Sequence, residues 1–181
     1  MNNEPGKILL PIARAAISCA LNVSCSADES APWLTEPGAC FVTLTQNGVL
    51  RGCIGTLQAH QPLLLDLKSN AVNAAMRDPR FKPLCLAELG CTTVEVSLLS
   101  PVSAMDVRNE ADALAQLRPN IDGIVFEYGH YRSTFLPQVW ESLPQPSQFL
   151  NQLKRKAGLP ENFWADGVRL SRYTVSKWSE T

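Results

Sequence analysis

Apolar positions recur at helical spacing near the start of the chain. Ile8, Leu9, Ile12, Ala15, Ala16 and Cys19 share one face of a helix over residues 5–21. Residues 22–38 lose that period and fill with Ser, Pro, Asp and Glu, which predicts a long surface loop tacked down by Trp33 and Leu34. Loops this long inside a compact domain often carry function. Over 39–56 the period becomes that of a strand, and two β-rich runs flank Asn47-Gly48, the pair favoured in type I′ hairpin turns. A two-residue loop sets Gln46 opposite Val49, Leu44 opposite Arg51 and Val42 opposite Cys53. Alternation then puts Arg51, Cys53 and Gly55 on one face and Leu50, Gly52 and Ile54 on the other.

Leu64, Leu65, Leu67, Ala71, Ala74 and Ala75 predict a second helix over 62–78, opened by Pro62 and stopped by Asp78-Pro79-Arg80-Phe81-Lys82-Pro83. Residues 86–89 make one helical turn, and the β-branched run 92–99 predicts a strand. Farther on come a short helix over 110–117 and paired strands over 121–127 and 131–136. A helix over 145–156 is closed by Gly158, and a terminal strand spans 168–178. The order α-β-β-α-β-α-β-β-α-β, with two hairpins, predicts an α+β fold. Its sheet is mixed, mainly antiparallel and flanked by helices.

The chain has 181 residues, 45% of them hydrophobic and 18% charged, which fits one soluble globular domain over 1–181. A net charge of −1 supplies no overall field for nucleic acid. No apolar run is long enough to span a bilayer, and the N-terminal stretch carries Glu4 and Lys7 without a clear cleavage site. The expected compartment is the cytoplasm. Its six cysteines contain no CxxC pair, and in a reducing compartment they are expected to be free, small core residues.

Candidate chemistry centres on Cys53. Gly52 and Gly55 interrupt a strand, where glycine often marks a bulge or a close approach by a ligand or backbone. Arg51 stands about 7 Å from Cys53 along the strand, and a nearby guanidinium favours a thiolate. Two readings compete: a nucleophile or redox thiol, and a small core cysteine beside a tight backbone contact. Glu95 is a lone carboxylate in an apolar strand, to be paired with Arg51 or another Arg, used as a base, or exposed. Asp78-Pro79-Arg80-Phe81, with Arg77 before it, is either an arginine clamp for a carboxylate or phosphate or a solvated helix stop. His60 follows the Cys53 strand as a candidate base or a loop histidine in solvent. Two separated histidines, no HExxH and no CxxC predict no metal site. Lys154-Arg155-Lys156 complements a helix C-terminus and reads as a solvated face.

Gly38-Ala39-Cys40-Phe41-Val42-Thr43-Leu44 and Gly48-Val49-Leu50-Arg51-Gly52-Cys53-Ile54-Gly55-Thr56 resemble the signature of the AMMECR family. Its prokaryotic members include the A component of the AmmeMemoRadiSam system. The resemblance continues through Asp78-Pro79-Arg80-Phe81, Glu95-Val96-Ser97, Phe135-Leu136-Pro137-Gln138-Val139-Trp140 and Lys156-Ala157-Gly158-Leu159. Ser133 departs from a Gly found in some relatives. The resemblance implies a larger and a smaller lobe around a cleft, with the motif on Arg51, Gly52, Cys53, Ile54 and Gly55. It also implies association with a Memo-like protein and a radical S-adenosylmethionine enzyme. It supplies neither a reaction, a cofactor nor an oligomeric state. One expectation is an enzyme or enzyme component in which Cys53 reacts, Arg51 stabilises an anion, and Glu95 orients Arg51 or acts as base. The other is a binding or adaptor module in which Gly52 and Gly55 allow a partner to dock, with Arg80 and His60 nearby.

Overall fold

A computed structural model describes residues 4–181; residues 1–3, part of the stretch read for a leader, lie outside it. The chain divides into two compact units. One holds the chain up to Leu99 together with Ser176–Thr181, and the other is Ser100–Val175.

In the first unit the helical period becomes α1 (Glu4–Ala20) and α2 (Leu63–Met76). Strands β1 (Cys40–Gln46), β2 (Val49–Gly55) and β3 (Thr92–Leu99) form a sheet with β8 (Val175–Ser179), in the order β2-β1-β3-β8. The hairpin turn has positive φ at both Asn47 and Gly48, as a type I′ turn requires. Val42, Leu44, Val94 and Val96 face Leu9, Ile12 and Ile17 of α1 and Leu67, Ala71 and Ala74 of α2 in one core. Both helices therefore cover one sheet face. Thr43, Thr45, Thr93 and Glu95 alternate onto the other and are half-buried. In the predicted loop, Pro32–Thr35 forms a 3₁₀ turn that buries Leu34 and packs Trp33 on the core.

The second unit joins β4 (Ser103–Met105), β5 (Gly123–Tyr128), β6 (Tyr131–Phe135) and β7 (Arg169–Tyr173) in the order β4-β7-β5-β6, with α3 (Glu110–Gln116) and α4 (Pro146–Lys156). Trp140 stacks on Phe149 with ring centroids 3.8 Å apart and donates its indole N–H to the Asp122 carbonyl at 2.8 Å. Asn109 caps α3 by accepting from the Asp112 N–H at 2.9 Å.

The α+β class holds, and every pairing resolved in register is antiparallel. Several details change. The terminal strand is two strands in two different sheets, broken at Thr174, and β4 has no counterpart in the sequence pattern. Cys40 is buried, but Cys19, Cys25, Cys85 and Cys91 are exposed, so most of the free thiols are not core residues. They sit at helix ends and in connections, where apolar packing is sparse. The basic triplet also divides: Lys154 is fully buried and bonds Glu110 at 2.6 Å, because α4 turns that position inward. Among the described residues no helix is long and apolar enough to cross a membrane.

Candidate functional site

Hairpin pairing follows the expectation at Gln46–Val49 and then departs from it. Thr45 pairs with Leu50, but Leu44 pairs with Gly52, Thr43 with Cys53, Val42 with Ile54 and Phe41 with Gly55. The expected pairs Leu44–Arg51 and Val42–Cys53 are replaced because Arg51 is an extra residue in a β-bulge. A bulge re-aims its side chain, so strict alternation no longer sets Arg51 beside Cys53. The guanidinium instead forks onto Glu88 of the 3₁₀ segment Leu86–Cys91, with Nε at 2.9 Å and Nη2 at 3.1 Å. Glu88 also accepts from Gln46 Nε2 at 3.2 Å and the Cys85 N–H at 2.9 Å. Foremost the Arg51 fork, then the Cys85 N–H, holds the Glu88 carboxyl down at about 2.

β2 is an outer strand, and the backbone of Cys53 faces its free edge. The segment after α2 closes that edge. The Cys53 N–H donates to Asp78 Oδ2 at 2.8 Å, and Arg80 Nη2 donates to the Cys53 carbonyl at 3.3 Å. Arg80 holds Asp78 through its own N–H, Nε and Nη2 at 3.1, 3.0 and 2.7 Å. The Asp78 side chain is 2% exposed, and chiefly the Arg80 bonds keep its carboxyl well below the usual carboxylate range. Asp78 and Arg80 thus occupy the hydrogen-bonding positions of a further strand, which shields an edge. Asp78-Pro79-Arg80 stops the helix and clamps the cysteine strand at once.

The Cys53 thiol is half-buried and accepts a hydrogen bond from Thr43 Oγ1 at 3.2 Å. Thr43 lies opposite Cys53 on one side and opposite Glu95 on the other, so Cys53, Thr43 and Glu95 form one row across β2, β1 and β3. Glu95 has Lys177 at 3.8 Å. The structure therefore brings Cys53 and Glu95 into one row and gives Arg51 a different carboxylate. His60 is exposed, with Nδ1 3.1 Å from the Gln58 carbonyl, and makes no hydrogen bond to Cys53. Ile54 packs against the core. The glycines are closely covered from within the chain. A Cβ on Gly52 would stand 2.2 Å from the Ala74 carbonyl oxygen of α2, and one on Gly55 would stand 2.2 Å from the Phe41 ring.

One cluster escaped the sequence reading. Asp66, fully buried on α2, accepts from the Cys40 N–H at 3.0 Å, the Cys40 thiol at 3.4 Å and Thr56 Oγ1 at 2.7 Å. Gln61 Nε2 at 3.2 Å and Asn70 Nδ2 at 3.0 Å complete it. Burial, then the Asp66 charge, pushes the Cys40 thiol far up, so it stays protonated and donates. The available signal was two polar residues, Asp66 and Asn70, spaced i,i+4 on the apolar stripe of α2. Among the described residues no group of three His, Cys, Asp or Glu side chains is placed to hold a metal ion.

The AMMECR1 family profile matches residues 10–178. A protein of Methanocaldococcus jannaschii is 36% identical over 186 residues, covering 98% of this chain and 90% of its own length. A protein of Thermotoga maritima is 37% identical over 155 residues, covering 83% of this chain and 84% of its own. The crystal structure of an uncharacterized protein of Pyrococcus horikoshii superposes with a TM-score of 0.77 at 32% identity, covering 98% of this chain and 92% of that one.

Proposed function

The chain belongs to the AMMECR1 family, and we propose that it acts as a binding component of an enzyme system through the sheet face around Cys53. One observation carries this reading. Cys53, Thr43 and Glu95 share a half-exposed row on the face turned away from α1 and α2, and Arg51, Arg80 and Glu95 are already paired, with Glu88, Asp78 and Lys177. Among the described residues no imidazole or carboxylate hydrogen-bonds the thiol. A nucleophilic cysteine works with a base in such reach. A partly polar, rigid face suits recognition. The family resemblance supplies the candidate partners, a Memo-like protein and a radical S-adenosylmethionine enzyme of the same host.

A second reading keeps Cys53 as a reacting thiol in an enzyme. It is favoured by the Thr43 hydroxyl, whose hydrogen bond at 3.2 Å holds the sulfur on the half-exposed face.

Co-expression with the two candidate partners separates the readings. Wild type is expected to capture at least one of them, Thr43→Arg and Glu95→Arg to lose it, and Cys53→Ser to retain it. No capture by wild type, or capture untouched by both arginine variants, ends the binding reading. Normal capture with loss of the system's activity in Cys53→Ser supports the enzyme reading instead.

A further inference from the structure

The bulged arginine is incompletely satisfied. Arg51 has a side chain 14% exposed, and its Nη1 is buried without a hydrogen-bond partner. An unmet guanidinium donor is costly in a folded protein and calls for an acceptor. The half-buried ring of Phe81 lies beside it, with its centroid 6.0 Å from the Arg51 guanidinium carbon. The same ring has the Arg80 guanidinium carbon 5.4 Å away. Two guanidinium groups thus flank one aromatic side chain.

Arg80 is built to receive a ligand. Asp78 and the Cys53 carbonyl hold its Nε and Nη2, which fixes the plane of the group. Its side chain is 53% exposed, and Nη1 makes no hydrogen bond among the described residues. A fixed guanidinium with a free edge recognises an oxyanion at little entropic cost. The local charge favours the same ligand. Asp78 and Glu88 each balance one arginine, while Arg77 and Lys82 are exposed and make no ion pair among the described residues. In a chain of net charge −1, the segment 77–82 that clamps Cys53 therefore carries unbalanced positive charge.

We propose that Arg80 and Arg51, flanking Phe81, form an anion subsite for the phosphate group of a small ligand. The phosphate takes the free edge of Arg80. It reaches Arg51 Nη1 as the Phe81 ring turns aside, and Arg77 and Lys82 add attraction. Two donor groups with two further cations suit a dianion better than a monocarboxylate. The inference shares only its location with the binding role proposed for the Cys53 face.

Inorganic phosphate is the probe, titrated into the full chain at low salt while the arginine Nε–H signals are followed by NMR. The Arg80 and Arg51 signals are expected to shift along one saturating curve, with acetate binding at least about tenfold more weakly. Phe81→Ala uncovers Nη1 and tightens phosphate binding by about three- to tenfold. The double variant Arg77→Gln/Lys82→Gln, clear of the clamp, weakens it by a similar factor, about three- to tenfold. Arg132→Gln in the second unit leaves it unchanged. The proposal is overturned by any of three results: no saturable shift, the same shifts from chloride at equal ionic strength, or acetate binding as tightly as phosphate. Weaker binding in Phe81→Ala also overturns it, because it would make the ring part of the site. Phosphate binding without partner capture, or the reverse, tells failure of one reading from failure of the other.

Discussion

Two cysteines on neighbouring strands each sit against an aspartate, with opposite consequences. At the floor beneath α2, Cys40 directs its thiol to Asp66 inside a sealed network and stays protonated. At the edge of the same sheet, Cys53 offers Asp78 only its backbone N–H, and its thiol faces Thr43 on the half-exposed side. The first aspartate stabilises packing through a side chain. The second completes a strand edge and leaves the side chain available. Identical residue types acquire different chemistry from which atom, backbone or sulfur, meets the carboxylate.

Thiol labelling tests that contrast most severely. Iodoacetamide is expected to modify Cys53 in the native state. Cys40 should react only on opening of the core, more slowly by about a thousandfold or more if that opening approaches global unfolding. Comparable rates would dissolve the distinction. Next comes Asp66→Ala, which takes the acceptor from Cys40, Thr56 and Gln61, while Asn70 keeps the Cys40 carbonyl and Thr56 Oγ1. Urea unfolding should show a loss of about 3–5 kcal/mol. Asp78→Ala strips fewer groups from a more open site and should lose about 2 kcal/mol, with faster exchange of the Cys53 amide.

Gly52→Ala probes the contact between the two regions. Its Cβ would collide with the Ala74 carbonyl oxygen, so α2 must shift, at about 1–3 kcal/mol. A neutral result would show that the helix gives way easily. The smallest effect belongs to Glu88. Its folded value of about 2 lies below the ordinary 4.5, so its ionisation stabilises the fold above pH 4.5 and that contribution is lost as pH falls toward 2. Glu88→Gln should therefore be less stable than wild type by about 1 kcal/mol at pH 7. The gap should narrow across that acid window. A gap constant with pH would assign the loss to packing rather than charge.

Much of the scaffold was legible because its signals are local. Helical spacing located α1 and α2, Asn47-Gly48 specified a turn that needs positive φ twice, and Gly158 adopts positive φ after α4. The clamp was half legible. Asp78-Pro79-Arg80 read correctly as a helix stop, but its hold on Cys53 spans 25 residues. Nothing in either segment alone names the other.

What the sequence by itself determined was the order of helices and strands, the hairpin and the α+β class. Each depends on periodicity or on turn residues within a few positions. Only the tertiary structure decided which groups meet. One bulged residue moved Arg51 to Glu88 and set Cys53 in a row with Thr43 and Glu95, and a break at Thr174 sent β7 and β8 to different sheets. A single inserted residue reverses which face a side chain takes, and no local pattern marks that insertion. The same limit hid the burial of Asp66, Asp78 and Lys154, whose charges are tolerable inside the fold only because their partners arrive from distant segments or after the chain turns back.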